Sequence, residues 1–311
     1  TCVHYTIEFP NLGLLAHFFR KILKIVFARA CLIAPHSPVC LADSGWVPLG
    51  GFGRVFVGRF AAQGRTRFSR QALQSANIAL MPQYAATLED VHAATRRIAP
   101  HAHHTPVMTC QTLNEMAGRE LFFKCEQFQK VGAFKFRGAC TAVMKSPDEI
   151  AQRGVVTHSS GNHAQALALA ARLREIPAHI VMPTSAPAIK RAAVAGYGAH
   201  IIDCESTQAA REATADRVVA ESGGTLIHPY DNSEIIAGQG TVALELLSEI
   251  ATLDAIFTPV GGGGLLSGVC IAAKGMYPDI RIFAGEPQGA DDAARSMAQG
   301  DRVFNDAVET M

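Results

Sequence analysis

Apolar residues recur along this chain with two periods, and the switches between them mark out the elements. Leu88, Val91, Ala94 and Ile98 keep helical spacing. Thr87 stands in front of them with Asp90 three places on, the pattern in which side chains satisfy free amides of a first turn, and Pro100 ends the run. Residues 113–117 predict a helix closed by Gly118, residues 120–126 a short buried strand, and residues 136–145 the next helix. Strands are then expected at 155–157, 178–182, 200–203, 225–228, 255–260 and 281–285. Between them lie helices at 163–174, 188–195 (ended by Gly196), 208–221, 235–250 and 265–274. The 235–250 helix is expected to start near a turn at Ile236-Ala-Gly-Gln-Gly240. Strands alternating with helices of this length predict an α/β fold with a parallel, helix-covered sheet.

Composition narrows the partners. An apolar share of 49% over 311 residues supports a sizeable core, and 28 basic against 27 acidic side chains leave no net field for a nucleic acid. A small molecule is the better default partner. The eight cysteines show no C-x-x-C pair or zinc spacing, so they read as reduced core residues of an intracellular protein. Arg20, Lys21, Lys24 and Arg29 interrupt the one long apolar run, which argues against a membrane span.

Residues 1–80 differ from the rest. Nine basic side chains stand against Glu8 and Asp43, a net +7, with an amphipathic stretch over 14–34. This fits an organellar targeting segment and equally a translated stretch upstream of a natural start at Met81. The Gly50-Gly-Phe-Gly53 run does not complete a dinucleotide fingerprint.

Three stretches carry candidate chemistry. In Phe128-Gln-Lys-Val-Gly-Ala-Phe-Lys-Phe-Arg-Gly138, Lys135 sits between two phenylalanines that favour burial, while an ammonium resists it unless its pKa falls. The functional reading is a desolvated Schiff-base lysine; the plain one is a surface lysine whose stem covers the flanking rings. Ser159-Ser-Gly-Asn-His163 falls where a strand ends and a helix begins, so its amides can hold a substrate carboxylate or merely be capped by Ser or Asn. Gly261, Gly262, Gly263 and Gly264 let backbone amides approach a phosphate, in a spacing that is neither the P-loop nor G-x-G-x-x-G. Lysine, carboxylate loop and phosphate cradle together point to pyridoxal phosphate acting on an amino acid.

With Ile236-Ala-Gly-Gln-Gly240, these stretches resemble the serine racemase and serine/threonine dehydratase family of fold-type II pyridoxal phosphate enzymes, from about Met81 to the end. The resemblance implies a tryptophan synthase beta-like fold with two open parallel-sheet domains. Residues 81–153 plus 230–311 would form the cofactor domain and 154–229 the small domain. It implies Lys135 as the Schiff-base lysine and one proton acceptor, Phe134 behind the cofactor ring, and Asn162 on its ring oxygen. Gly261, Gly262, Gly263 and Gly264 would hold the phosphate, and Ser159, Ser160, Asn162 and His163 the substrate carboxylate. Ser160 is the second base of the racemase pattern, where threonine dehydratases often carry alanine. Two bases on opposite faces allow inversion at Cα, and one base with a leaving β-hydroxyl suffices for elimination. Racemization of L-serine with side dehydration to pyruvate and ammonia is the expected activity, with serine/threonine or hydroxyaspartate dehydration as alternatives. Glu286, the Ala290 carbonyl and Asp292 match the family's Mg²⁺ or Ca²⁺ site. Tyr197 and Arg211 match positions near the moving small domain. A homodimer, a nucleotide effector and a cytoplasmic location are implied as well, the last unless residues 1–80 target an organelle.

The chain ends at Met311, whereas the family continues for about one further domain's worth of sheet and helix. The expectation is an incomplete cofactor domain lacking the partner of the pyridine nitrogen, with an exposed sheet edge, weak cofactor binding and slow or no turnover. An inactive fragment that acts only by association is therefore the competing reading.

Overall fold

The computed structural model describes residues 84–305, together with the backbone of three strands, β1 (Ala30–Leu32), β2 (Ser44–Pro48) and β3 (Arg54–Gly58). Most of the 14–34 stretch, the Gly50-Gly-Phe-Gly53 run and Met81 lie outside the described residues. The chain divides into two units, one formed by Ala85–Ile280 and the other by Thr1–Tyr84 with Arg281–Met311.

The Ala85–Ile280 unit opens with α1 (Leu88–Ile98), whose start is a true capping box. Asp90 N–H donates to Thr87 Oγ1 at 3.2 Å and Thr87 N–H to Asp90 Oδ2 at 2.9 Å. Its apolar stripe buries Val91, Ala94 and Ile98. β4 (Val107–Met108) pairs antiparallel with β5 (Phe123–Lys124) across α2 (Gln111–Ala117), which ends at Gly118 with φ +61°. The strand expected over 120–126 is only these two residues long, because the chain turns into a 3-10 helix at Glu126–Phe128. α3 (Lys135–Lys145) and the short α4 (Asp148–Ala151) follow.

Next come β6 (Val155–His158), α5 (Asn162–Leu173), β7 (Ala178–Pro183), α6 (Ala188–Gly196), β8 (His200–Cys204), α7 (Gln208–Ser222) and β9 (Thr225–Leu226). The four strands form one parallel sheet in the order β8-β7-β6-β9, with Val155 opposite Ala178 and Thr225, and His179 opposite His200. Successive side chains leave a strand on opposite faces, so Val155 joins a core with Phe136, Leu167, Ile180 and Met182 while Val156 joins Val181, Ala215 and Val218. Burial on both faces explains why every residue of β6 is buried.

α8 (Ser233–Glu249), β10 (Ala255–Pro259) and α9 (Gly264–Met276) complete the unit. Here the structure corrects the sequence reading. Ile236-Ala-Gly-Gln-Gly240 is not a turn but lies inside α8, which starts earlier at an Asn232 cap. Its glycines serve close helix crossings. A Cβ on Gly238 would stand 2.5 Å from Gly138 Cα, and one on Gly268 2.4 Å from Ile236 O and 2.5 Å from Gly240 N. α8 thereby presses its backbone against α3 on one side and α9 on the other.

In the second unit, β1 pairs antiparallel with β11 (Arg281–Gly285) in the register Cys31 to Ala284, and β2 with β3. A 3-10 turn at Gln288–Ala290 leads into α10 (Asp292–Gln299). Among the described residues no helix is long and apolar enough to cross a membrane. Cys110, Cys125, Cys140, Cys204 and Cys270 are all free; Cys110 is exposed, whereas burial pushes the Cys140 thiol up to about 12 and Cys270 up to about 11.

Candidate active site

Lys135 is the first residue of α3 and half-buried. Its Nζ donates to the Pro229 carbonyl at 2.7 Å and lies 5.3 Å from the centre of the Phe134 ring. Burial draws its pKa down to about 8, so a neutral amine is accessible near physiological pH. The surface-lysine alternative does not hold. Lys135 is instead tethered to the chain that leads from β9 into α8, 94 positions later in the sequence.

That connection carries an aromatic cluster. The His158 and His228 rings meet edge-on at 5.6 Å, and His228 meets Tyr230 at 4.5 Å. His228 Nδ1 accepts the Asp231 N–H at 2.9 Å, which places the ring proton on Nε2 when the imidazole is neutral. Burial and then the neighbouring His158 hold its pKa below the ordinary histidine value. Tyr230 is the floor of the glycine run. A Cβ on Gly262 would fall 2.2 Å from Tyr230 Cδ1, and one on Gly264 3.1 Å from Tyr230 Cα. Cβ atoms on Gly261 or Gly263 would meet nothing within 4 Å, and Gly263 has φ +86°, a left-handed conformation that favours glycine. The loop therefore packs on Tyr230 through alternate residues and leaves the others open. α9 starts at Gly264, the last residue of the run, with Gly263 as its N-cap and no side-chain cap, so its first amides are free to take an anion. These residues fit a phosphate group such as that of pyridoxal phosphate.

The Ser159-Ser-Gly-Asn-His loop joins the end of β6 to α5. Neither Ser nor Asn caps that helix, whose N-cap is Gly161. Ser159 Oγ instead accepts the Gly161 N–H at 3.4 Å. Ser159 and Ser160 are half-buried and Asn162 is exposed. The His163 ring points the other way, into the core, where Nε2 donates to Ile227 O at 3.1 Å. Burial draws its pKa down to about 3, so it is a neutral imidazole, with Nδ1 buried and unpartnered. Its backbone amide is the part of His163 left for a substrate carboxylate.

Sequence reading missed the ions beneath Lys135. Arg137 is wholly buried, and its guanidinium takes Glu126 Oε1 and Oε2 at 2.8 Å each and Glu245 Oε1 and Oε2 at 2.6 and 2.8 Å. Burial works against that charge, and the bonds from Glu245 and Glu126 outweigh it, leaving the guanidinium more firmly protonated than usual. Lys124 donates to Glu245 at 2.9 Å and to Glu249 at 3.0 Å. No local motif announces these pairs, because Glu245 lies 108 positions from Arg137.

The expected cation residues lie in the other unit. Glu286 accepts the Ala294 and Ala293 amides at 2.7 and 3.3 Å, and Asp292 Oδ1 accepts from Asn305 at 2.7 Å. Burial raises the Glu286 pKa; the two amides offset part of this, and the Asp292 and Asp291 carboxylates add to it. Among the described residues no group of three or more His, Cys, Asp or Glu side chains is arranged to hold a metal. Tyr197 is half-buried after α6, and Arg211 lies in the first turn of α7 with a buried, unpartnered Nε.

Comparison with known proteins assigns the family. The model of the pyridoxal-phosphate dependent enzymes matches residues 98–311. A serine racemase of Arabidopsis thaliana is 55% identical over 218 residues, covering 70% of this chain and 66% of that protein. A beta-hydroxyaspartate dehydratase of Paracoccus denitrificans is 49% identical over 228 residues, covering 73% and 72%. The solved structure of maize serine racemase matches with a TM-score of 0.72 at 51% identity, over 73% of this chain and 69% of that one. The chain thus spans roughly 66% to 72% of the length of these relatives. It belongs to the family of pyridoxal-phosphate dependent enzymes.

Proposed function

We propose that this chain carries the site of a serine racemase that also eliminates water from serine. The observation that carries the reading is Lys135, a half-buried amine with a lowered pKa whose hydrogen bond goes to a carbonyl. When bound, pyridoxal phosphate supplies an electron sink for the charge left on the substrate Cα. Lys135 would hold the cofactor aldehyde, with Phe134 and Asn162 beside its ring and Gly261, Gly262, Gly263 and Gly264 around its phosphate. Ser159, Ser160, Asn162 and the His163 backbone amide would hold the substrate carboxylate at the uncapped start of α5, where the helix dipole favours an anion.

Lys135 Nζ removes the Cα proton on one face, and Ser160 Oγ delivers a proton to the other, which inverts the centre. Loss of the same proton with the β-hydroxyl releases water and, after hydrolysis, pyruvate and ammonia. Similarity to a hydroxyaspartate dehydratase at 49% identity supports elimination from β-hydroxy amino acids as the second reading. A Mg²⁺ or Ca²⁺ ion at Glu286, the Ala290 carbonyl and Asp292 rests on resemblance alone, because Glu286 and Asp292 are here engaged with the Ala293 and Ala294 amides and with Asn305. A homodimer, a nucleotide effector and a cytoplasmic location belong to the same proposal and rest on resemblance alone.

The test is chiral chromatography of products from L-serine with added pyridoxal phosphate. The parent should form both D-serine and pyruvate, and Ser160→Ala should lose D-serine formation while retaining pyruvate. Undiminished D-serine in Ser160→Ala would remove Ser160 from its role, and no product in the parent would refute the activity.

A further inference from the structure

Residues 126–137 form a loop that an ion pair closes on itself. Glu126, at its start, takes two hydrogen bonds from Arg137, at its end, through Nε and one terminal nitrogen, both at 2.8 Å. Glu245 on α8 takes two more from the adjoining edge of the same guanidinium, through both terminal nitrogens at 2.6 and 2.8 Å, and Thr241 and Thr105 hydroxyls complete its set at 3.2 and 3.3 Å. Inside the loop, Val131 has φ +59°, where a β-branched residue is a steric outlier. Gln129, 3% exposed, holds the loop from within, accepting the His103 N–H at 2.9 Å and donating to His103 O at 2.7 Å. Lys135 lies two residues before Arg137 on the same first helical turn.

Stability alone explains this poorly. A buried, multiply paired guanidinium is often no better than apolar residues of its volume, and backbone strain persists only where the surroundings over-determine it. A closed and strained loop ending at the tethered Lys135 amine has the construction of a positioning device. We propose that Glu126 and Arg137, braced by Glu245, are positioning residues that clamp residues 126–137 and hold the Lys135 amine at the Pro229 carbonyl. The clamp rests on the reading of Lys135 as the reactive amine. It adds which residues make that amine reactive, without themselves touching substrate. His163 and His228 couple electrostatically to Lys135, and burial lowers the pKa of each.

The experiment is trace acetylation of the full chain with acetic anhydride from neutral to alkaline pH, read at Lys135 by mass spectrometry. The parent, Arg137→Lys and Glu126→Gln are compared, and Lys145, whose side chain is half-exposed, is the internal control. The parent midpoint at Lys135 is expected at about 8. In both variants it should rise by on the order of one pH unit as the amine gains water, with Lys145 unmoved. Borohydride-trapped incorporation of pyridoxal phosphate at Lys135 should slow by about tenfold or more. A merely structural Arg137 would lower the denaturation midpoint and leave the acetylation midpoint of Lys135 in place, which overturns the clamp. Should Arg137→Lys fail to fold, Glu126→Gln decides alone, because it keeps the side-chain volume and one acceptor while losing the charge and the second hydrogen bond from Arg137, which loosens the clamp without emptying the site. A parent with the low midpoint but no incorporation at Lys135 refutes the proposed function and not the clamp. Normal incorporation in parent and variants alike, with unmoved midpoints, refutes only the clamp.

Discussion

The same substitution, glycine to alanine in a helix, should have opposite signs at two positions of this fold. Gly238 is inside α8, and a Cβ there would lie 2.5 Å from both Gly138 Cα and Thr141 Oγ1 and 2.7 Å from Arg137 O. Ordinary contact begins near 3.4 Å, so α3 and α8 would have to separate by about 1 Å, and two of the three obstructing atoms are backbone. Overpacking of this kind costs about 1–3 kcal/mol, and alanine's better helix propensity returns up to about 1 kcal/mol. Because backbone atoms obstruct the Cβ, the cost belongs at the upper end of that range, and Gly238→Ala should destabilise by about 2 kcal/mol net. Gly196 closes α6 with no heavy atom within 4 Å of a Cβ. Gly196→Ala meets no clash and should stabilise by about 0.5 kcal/mol, less than a mid-helix site because it is terminal. Urea unfolding of the full chain measures both, with the slope checked for constancy before midpoints are compared. The reasoning fails if Gly238→Ala shifts the midpoint upward, or if the two variants shift together. α3 carries both Gly138 and Lys135, so Gly238→Ala should also weaken incorporation of pyridoxal phosphate, whereas Gly196→Ala should not.

Three further outcomes follow from the site. His163 has a folded pKa of about 3 against 6.5 unfolded, so the unfolded state binds the extra proton and stability falls as pH drops from 6.5 toward 3, by at most about 5 kcal/mol. His163→Gln should flatten that acid limb, and urea midpoints at neutral and acid pH that fall equally in both proteins would contradict it. Lys135 has its folded pKa lowered from 10.5 to about 8, so protonation opposes folding at neutral pH and the penalty fades as pH rises through that window. Lys135→Met should abolish product formation yet be as stable as the parent at neutral pH or more so, by up to about 2 kcal/mol after allowance for partial exposure. A clearly less stable variant would count against the desolvation account. Gly263→Ala places a Cβ in open space but at φ +86°, so it should cost about 1 kcal/mol and weaken pyridoxal phosphate binding, as read by absorbance titration.

Local signals were legible where the chemistry is local. Thr87 and Asp90 form the expected capping box, Gly118 ends α2 in the left-handed conformation, and the glycine run precedes α9. What escaped the sequence depends on partners far along the chain. Ile236-Ala-Gly-Gln-Gly240 looked like a turn because glycine is a poor helix residue, yet approach to Gly138 and Gly268 makes it the tightest part of α8. His163 belongs to a polar motif that suggested substrate contact, but its ring bonds Ile227 O, 64 positions on, and is buried. Ser159 and Asn162 were read as either caps or ligand groups, and the absence of a side-chain cap on α5 rules out the first.

The division of charge on α3 links this architecture to the chemistry. Lys135 and Arg137 are two cations on one helical turn, and burial opposes the charge of each. Arg137 receives two carboxylates, so its charge survives burial and fixes the helix. Lys135 receives the Pro229 carbonyl, which can accept a hydrogen bond from the amine without bringing a countercharge. Desolvation then acts on Lys135 unopposed and lowers its pKa toward neutrality, as a proton acceptor working near pH 7 requires. Exchanging the partners would reverse the outcome. A carboxylate in place of the carbonyl would keep Lys135 an ammonium, and loss of Glu126 and Glu245 would leave a buried charge able to unfold the turn. Placement of the acids thus separates a structural cation from an amine of lowered pKa two residues apart, a distinction invisible in the motif because Glu245 comes from α8.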